Sequence, residues 1–223
     1  MARAPKPRRA SADDTRARIF ASAIRLFAEQ GYESTSVDRI VRDAGVAKGT
    51  FFNHFATKEA VVSQLVRNQI RGARAARDRV LATGGSPVDA LRATVMSLGE
   101  QAGANRGLSR AIVTANIVSS ELGRNAESVF DGIVVEMMED VRAAQRAGLL
   151  SKSADCETIA GTLITSYLGA TLHFATSPQP AALIDLLAPV LEANLIGFGA
   201  HPRAGGRLPR KAWAPARRKA RSR

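Results

Sequence analysis

The sequence predicts an all-α protein in which an N-terminal three-helix helix-turn-helix module is joined to a larger C-terminal helical bundle. Three observations support this. Apolar residues recur at three- and four-residue spacing along most of the chain, Ser, Thr and glycine punctuate the periodic segments as helix starts and stops, and no segment reads convincingly as a strand. With 223 residues, 45% of them hydrophobic, the chain is long enough for a substantial core in one or two domains. The single cysteine, Cys156, excludes an internal disulfide framework and a multi-cysteine zinc site.

Residues 1–10 carry four cations and two prolines with no apolar run, and are expected to form a basic flexible arm. They do not have the pattern of a signal peptide or membrane anchor, so a cytoplasmic location is expected. Ser11-Ala-Asp-Asp14 has capping-box spacing, with Asp in place of the usual Glu. It precedes an apolar stripe of Ile19, Phe20, Ala23, Ile24, Leu26 and Phe27. A first helix therefore runs over about 12–30 and stops at Gly31. Ser36 can cap a second, with Val37, Ile40, Val41 and Ala44 on one face and Gly45 closing it in the left-handed conformation. After a turn through Val46 and Ala47, Lys48 to Phe55 gives about two further turns, with Phe51 and Phe55 on one face. Two short helices joined by a tight glycine-containing turn are a helix-turn-helix unit, whose second helix enters the DNA major groove. The first helix covers their apolar sides, because helices this short are not stable alone.

Thr57 caps a longer helix over about 58–82, with Val61, Val62, Leu65, Val66 and Ile70 inward. Arg67, Arg71 and Arg74 follow at helical spacing and read as a solvated face before a DNA contact. The break at Thr83 to Pro87 marks a domain boundary. Ser86, Pro87 and Asp89 then open another helix, as capping residue, first helical position and first-turn acid. Further helices are expected over Leu108–Leu122 and Glu127–Ala147, the latter ending at Gly148. Residues 158–184 contain no charged side chain, but their many threonines and two prolines favour a buried bundle helix over about 154–176 rather than a membrane span. A last helix covers about 180–198, bent by Pro189.

The formal charge of +12 is concentrated at the ends. Residues 1–10 hold +4 and residues 201–223 hold +9, whereas residues 11–82 sum to +4 and residues 83–200 to −5. DNA-facing work is thereby placed in the N-terminal third. The aperiodic basic tail over 201–223 is expected to be disordered, acting as a solubilising tail or as a nonspecific attraction for phosphate.

Residues 15–66 closely resemble the DNA-binding region of the TetR (tetracycline-repressor-like) family of bacterial transcription regulators. The resemblance rests on Leu26-Phe27, Gly31-Tyr32, Thr35-Ser36-Val37, Ile40, Ala44-Gly45-Val46, Lys48-Gly49-Thr50, His54-Phe55 and Lys58-Glu59 at matching spacing. It implies DNA contacts at Thr35, Lys48, Gly49, Thr50, Phe52, Asn53, His54 and Lys58. Their chemistry suits this: Lys48 can reach a base edge or phosphate, and Gly49 lets backbone approach closely. Thr50 and Asn53 carry hydrogen-bonding groups for base edges or phosphates, and Thr35, His54 and Lys58 suit phosphate oxygens. The alternative for His54 is an N–H bonded within the helix. Two departures stand out. Phe52 and Asn53 lack the phenolic hydroxyl common in the family, and Ala47 replaces a capping serine that typically contributes about 1 kcal/mol.

Composition and the resemblance together divide the chain into five segments: the arm over 1–10, the DNA-binding domain over 11–57, a connecting helix over 58–82, a ligand-binding and dimerisation domain over 83–200, and the tail over 201–223. The resemblance implies a homodimer paired through the last two helices, binding a double-stranded pseudo-palindromic operator as a repressor and released by a small molecule that binds the DNA-incompetent state more tightly. The effector is expected to be mainly apolar. Met96, Thr114, Asn116, Met137, Tyr167 and His173 are candidate lining groups, each of which is also compatible with ordinary core packing. A constitutive or architectural DNA-binding dimer is the alternative. The three histidines are isolated and neither a phosphate loop nor a nucleophile elbow is present, so no enzymatic activity, metal or cofactor is expected.

Overall fold

The computed structural model describes residues 11–118, 120–178 and 181–201, and the side chains of these except over 116–131. The expected arm over 1–10, and all of the expected tail but His201, lie outside the described residues. The described residues form helices and connections without a strand: α1 (Ala12–Gln30), α2 (Val37–Ala44), α3 (Lys48–His54), α4 (Lys58–Ala82), α5 (Pro87–Gly103), α6 (Arg106–Val118), α7 (Ser120–Arg146), α8 (Cys156–Thr176) and α9 (Leu183–Gly197).

Local chemistry accounts for most of the boundaries. At the start of α1 the Asp14 N–H donates to Ser11 Oγ at 3.1 Å, while the Ser11 N–H donates to the Asp14 carboxylate at 3.1 Å. This reciprocal box closes with the shorter acid. Ser36 caps α2 by accepting from the Arg39 N–H at 3.2 Å, and Gly45 closes that helix at φ 64° and ψ 42°, where a side chain would be strained. Thr57 caps α4 and Ser86 caps α5, with Pro87 in the first turn and Asp89 completing a second box. Ala47 supplies no side-chain cap to α3. The seventh helix departs from the sequence expectation: it begins at Ser120, so the break expected around Gly123 and Asn125 is helical. One interior glycine costs about 1 kcal/mol of helix propensity, which the length of the element can absorb.

Two apolar cores organise the molecule. The N-terminal core gathers Ile19, Leu26, Phe27, Ile40, Phe51 and Phe55, closed by Val61 and Val62 from the first turns of α4. Ala111 and Ala115 of α6 belong to it as well. The second core starts at Val66 within α4 and takes in α5, α7, α8 and α9, with Leu91, Leu98, Met137, Leu163 and Leu187 each fully buried. The cores therefore divide inside α4 rather than after it, and α6 joins the module that precedes it by fifty residues. Bidentate ion pairs brace the bundle: Arg77 of α4 with Asp140 of α7 at 2.6 and 2.8 Å, and buried Arg92 of α5 with Glu192 of α9 at 2.7 and 3.1 Å. No described helix is long and apolar enough to cross a membrane.

Candidate DNA-binding surface

Helix α3 has only seven residues and is held by its aromatic side. Phe51 and Phe55 are 0% and 2% exposed, with ring centroids 5.9 Å apart, and Phe51 meets Phe52 edge-on at 5.4 Å. The opposite side carries Lys48, Gly49, Phe52 and Asn53, all exposed. Those positions stand at i, i+1, i+4 and i+5, so they share one outward face. Thr50 and His54, both half-buried, lie between that face and the aromatic side, Thr50 nearer the face and His54 nearer Phe51. A Cβ built on Gly49 would meet nothing within 4 Å, so the fold does not require glycine there, whereas close approach of another backbone would.

Lys48, Gly49, Thr50, Phe52, Asn53 and His54 are thus brought together on or beside one surface. The two remaining candidates are engaged within the module. Thr35 is 0% exposed and its hydroxyl donates to the Gly31 carbonyl at 2.7 Å, so that hydroxyl ties the α1–α2 turn. The Lys58 ammonium donates to the carbonyls of Tyr32 and Thr35 at 2.9 and 3.1 Å and lies 4.0 Å from the Tyr32 ring centroid. Burial pushes its pKa down, although the neighbouring Glu59 and Glu33 charges oppose the shift. Its charge is committed to the same turn.

Two contributors were missed in the sequence. Arg16 of α1 donates to the His54 carbonyl at 2.6 Å and to Gln64 at 3.1 Å, with its guanidinium 4.4 Å from the Phe55 ring centroid. It fixes the C-terminal end of α3 against α1 and α4. Its place three residues before the first buried position, Ile19, was the available signal, but a partner 38 residues away is not readable from spacing. Asp38 of α2 pairs with Lys48 at 2.9 Å, both side chains being more than half exposed. That pair positions the lysine on the surface while leaving it wet and exchangeable.

The body candidates divide differently. Met137 of α7 and Tyr167 of α8 lie within the second core, and Met96 of α5 packs against it half-buried. Burial pushes the Tyr167 phenol up to about 12, with the Thr171 hydroxyl one turn later drawing it partly back. Thr171 is itself buried and was not among the candidates. Thr114 of α6 and His173 of α8 are half-buried, and the Asn116 side chain lies outside the described residues.

Comparison with known proteins converges on one family. The family model described as bacterial regulatory proteins, tetR family, matches residues 19–65, which span α1 from Ile19 to the second turn of α4. The transcriptional regulator UidR of Escherichia coli K12 is 27% identical over 140 residues, covering 63% of this chain and 71% of that one. Thermus thermophilus FadR, a TetR-family transcriptional repressor solved with lauroyl-CoA, is 26% identical with a TM-score of 0.66, covering 86% of this chain and 98% of its own. Bacillus subtilis FadR, solved with stearoyl-CoA, shares the fold at 18% identity and a TM-score of 0.70, covering 81% and 98%.

Proposed function

Since the chain belongs to the TetR family of bacterial transcriptional regulators, we propose that it is a cytoplasmic, homodimeric repressor that grips a pseudo-palindromic operator through two copies of α3 and lets go when a small molecule binds its helical body. The observation that carries this reading is the outward face of α3: Lys48, Gly49, Phe52 and Asn53 are exposed together while the aromatic side is buried. A two-fold dimer presents two such faces to half-sites about one helical turn apart or somewhat more.

The dimer reading is supported by α8 and α9. Along α8, Thr165, Leu168, Gly169, Leu172 and Thr176 form one exposed stripe, with Leu168 and Leu172 45% and 44% exposed. Ala193, Ile196 and Gly197 are exposed on α9 beside it in sequence order. Apolar and small side chains without a charge among them suit close helix pairing with a second copy. The basic module and the acidic body fit the same division, since DNA is met by the one and the partner by the other.

For the effector, the apolar surroundings of Met96, Met137 and Tyr167 favour an apolar molecule with a polar end. Thermus thermophilus FadR was solved with lauroyl-CoA, which makes a long-chain acyl thioester the first class to try. The ligand acts only through its preference for the conformation that does not fit DNA.

Selection of bound fragments from sheared genomic DNA of the source organism, at near-physiological salt, tests the proposal. A shared inverted repeat is the expected result. Enrichment without a common sequence would replace the operator reading with nonspecific or architectural binding.

A further inference from the structure

We infer that each recognition helix reads a thymine, whose C5 methyl group packs against the exposed ring of Phe52. This rests on the operator-binding reading above and adds to it a base and an atom. Phe27, Phe51 and Phe55 of the same module are at most 2% exposed, whereas Phe52 is 49% exposed. Its ring stands at 85° to the ring of fully buried Phe51 with centroids 5.4 Å apart, so one edge rests on the core and the rest faces out. An apolar ring held out in water contributes little to the fold, and its area is removed from water only when something covers it.

The surroundings say what covers it. Phe52 stands four residues after Lys48 and three after Gly49 and adjoins Asn53, which puts it within the outward face of α3. Gly49 leaves open space beside it, so a groove wall can come close to the helix. Phenylalanine has no group that can bond a phosphate oxygen, so a phosphate contact does not account for the exposed ring. Among the four unmodified bases only thymine offers an apolar group in the major groove, its C5 methyl, while Asn53 and Lys48 on either side have the donors and acceptor that base edges require.

Removing one methyl from an apolar contact weakens binding by about fourfold, and by about fifteenfold when the dimer loses it in both half-sites. The test uses the full-length protein and the operator recovered by genomic selection, with each thymine replaced in turn by deoxyuridine symmetrically in both half-sites. One position should lose about fifteenfold in affinity, within the range expected for two contacts of this kind. Phe52→Ala should bind the thymine and uracil operators equally, and Phe52→Leu should retain part of the discrimination. Phe52 is exposed, so helicity should be unchanged in both variants. A shared operator that tolerates uracil everywhere, or a discrimination that survives in Phe52→Ala, overturns this inference while leaving the regulator reading intact. A selection that yields no shared sequence overturns both.

Discussion

Thr35 and Lys58 hold one short turn from two sides. The threonine hydroxyl donates to the Gly31 carbonyl, and the lysine ammonium donates to the carbonyls of Tyr32 and Thr35. Thr35→Val removes a buried donor and leaves its carbonyl unpaired, which should cost about 1–3 kcal/mol in urea unfolding. Operator affinity of the folded variant should not change, since no phosphate contact is lost; a clear loss of affinity would return Thr35 to the DNA interface. Glu59 extends the cluster by accepting from the Tyr32 hydroxyl. Burial raises the Glu59 pKa, but that hydrogen bond, with those from Thr57 and the backbone and the charge of Lys58, outweighs it and the net shift is downward. A folded-state pKa below the unfolded value makes the carboxylate stabilising above about pH 4.5 and removes that contribution as pH falls through the lowered pKa. Glu59→Gln should therefore flatten the acid limb of a pH–stability profile; an unchanged limb would place the acid sensitivity elsewhere. Ser36 was legible as a cap because its spacing to Arg39 defines the bond locally. Thr35, its neighbour, was not, because which of two adjacent hydroxyls faces water depends on cover supplied by α1 and α4.

At the level of elements, α6 links the two cores. Leu108, Ala111, Ile112 and Ala115 pack with the DNA-binding module, while Arg106 donates to the carbonyls of Phe174 and Ser177 and Arg110 to that of Ala175, at the end of α8. Gly107 lets α6 reach α1, since a Cβ there would collide with the Ala28 carbonyl oxygen. A groove of about 460 Å³ lies along the same seam, between Phe27–Gly31 and the first turn of α6. Gly107→Ala is expected to separate α1 from α6 and destabilise the module by about 1–3 kcal/mol, the usual range for overpacking. Hydrogen exchange would then rise in α1 and α6 more than in α5 and α9, whereas uniform protection would show that the seam does not bear on the module. Helix α6 was legible as a helix from its apolar run. Its membership of a core fifty residues upstream was not, because periodicity marks which face is buried but not against what.

For the molecule as a whole, the exposed stripe of α8 is the face on which the proposed dimer rests. Leu168→Glu with Leu172→Glu places charges on the face assigned to the partner, so the protein should run as a helical monomer in light scattering and lose operator affinity by at least 100-fold, since the second half-site no longer adds to the first. A dimer of undiminished stability would move the interface elsewhere. The all-helical architecture and the order of its parts were readable from caps, periodicity and the charge division. The ion pairs Arg77–Asp140 and Arg92–Glu192, 63 and 100 residues apart in sequence, were not, since nothing local distinguishes a bracing charge from a solvated one.

On this reading, operator choice is made by the outward face of α3. It is tested most directly by measuring affinity for the selected operator and for a scrambled duplex of equal length with the wild type and with Lys48→Ala/Asn53→Ala. Lys48 and Asn53 are exposed, so the variant should keep its helicity and mass while its preference for the operator falls by about 100-fold or more, towards its affinity for scrambled DNA. A preference that survives in the folded variant would assign sequence reading to another part of the chain.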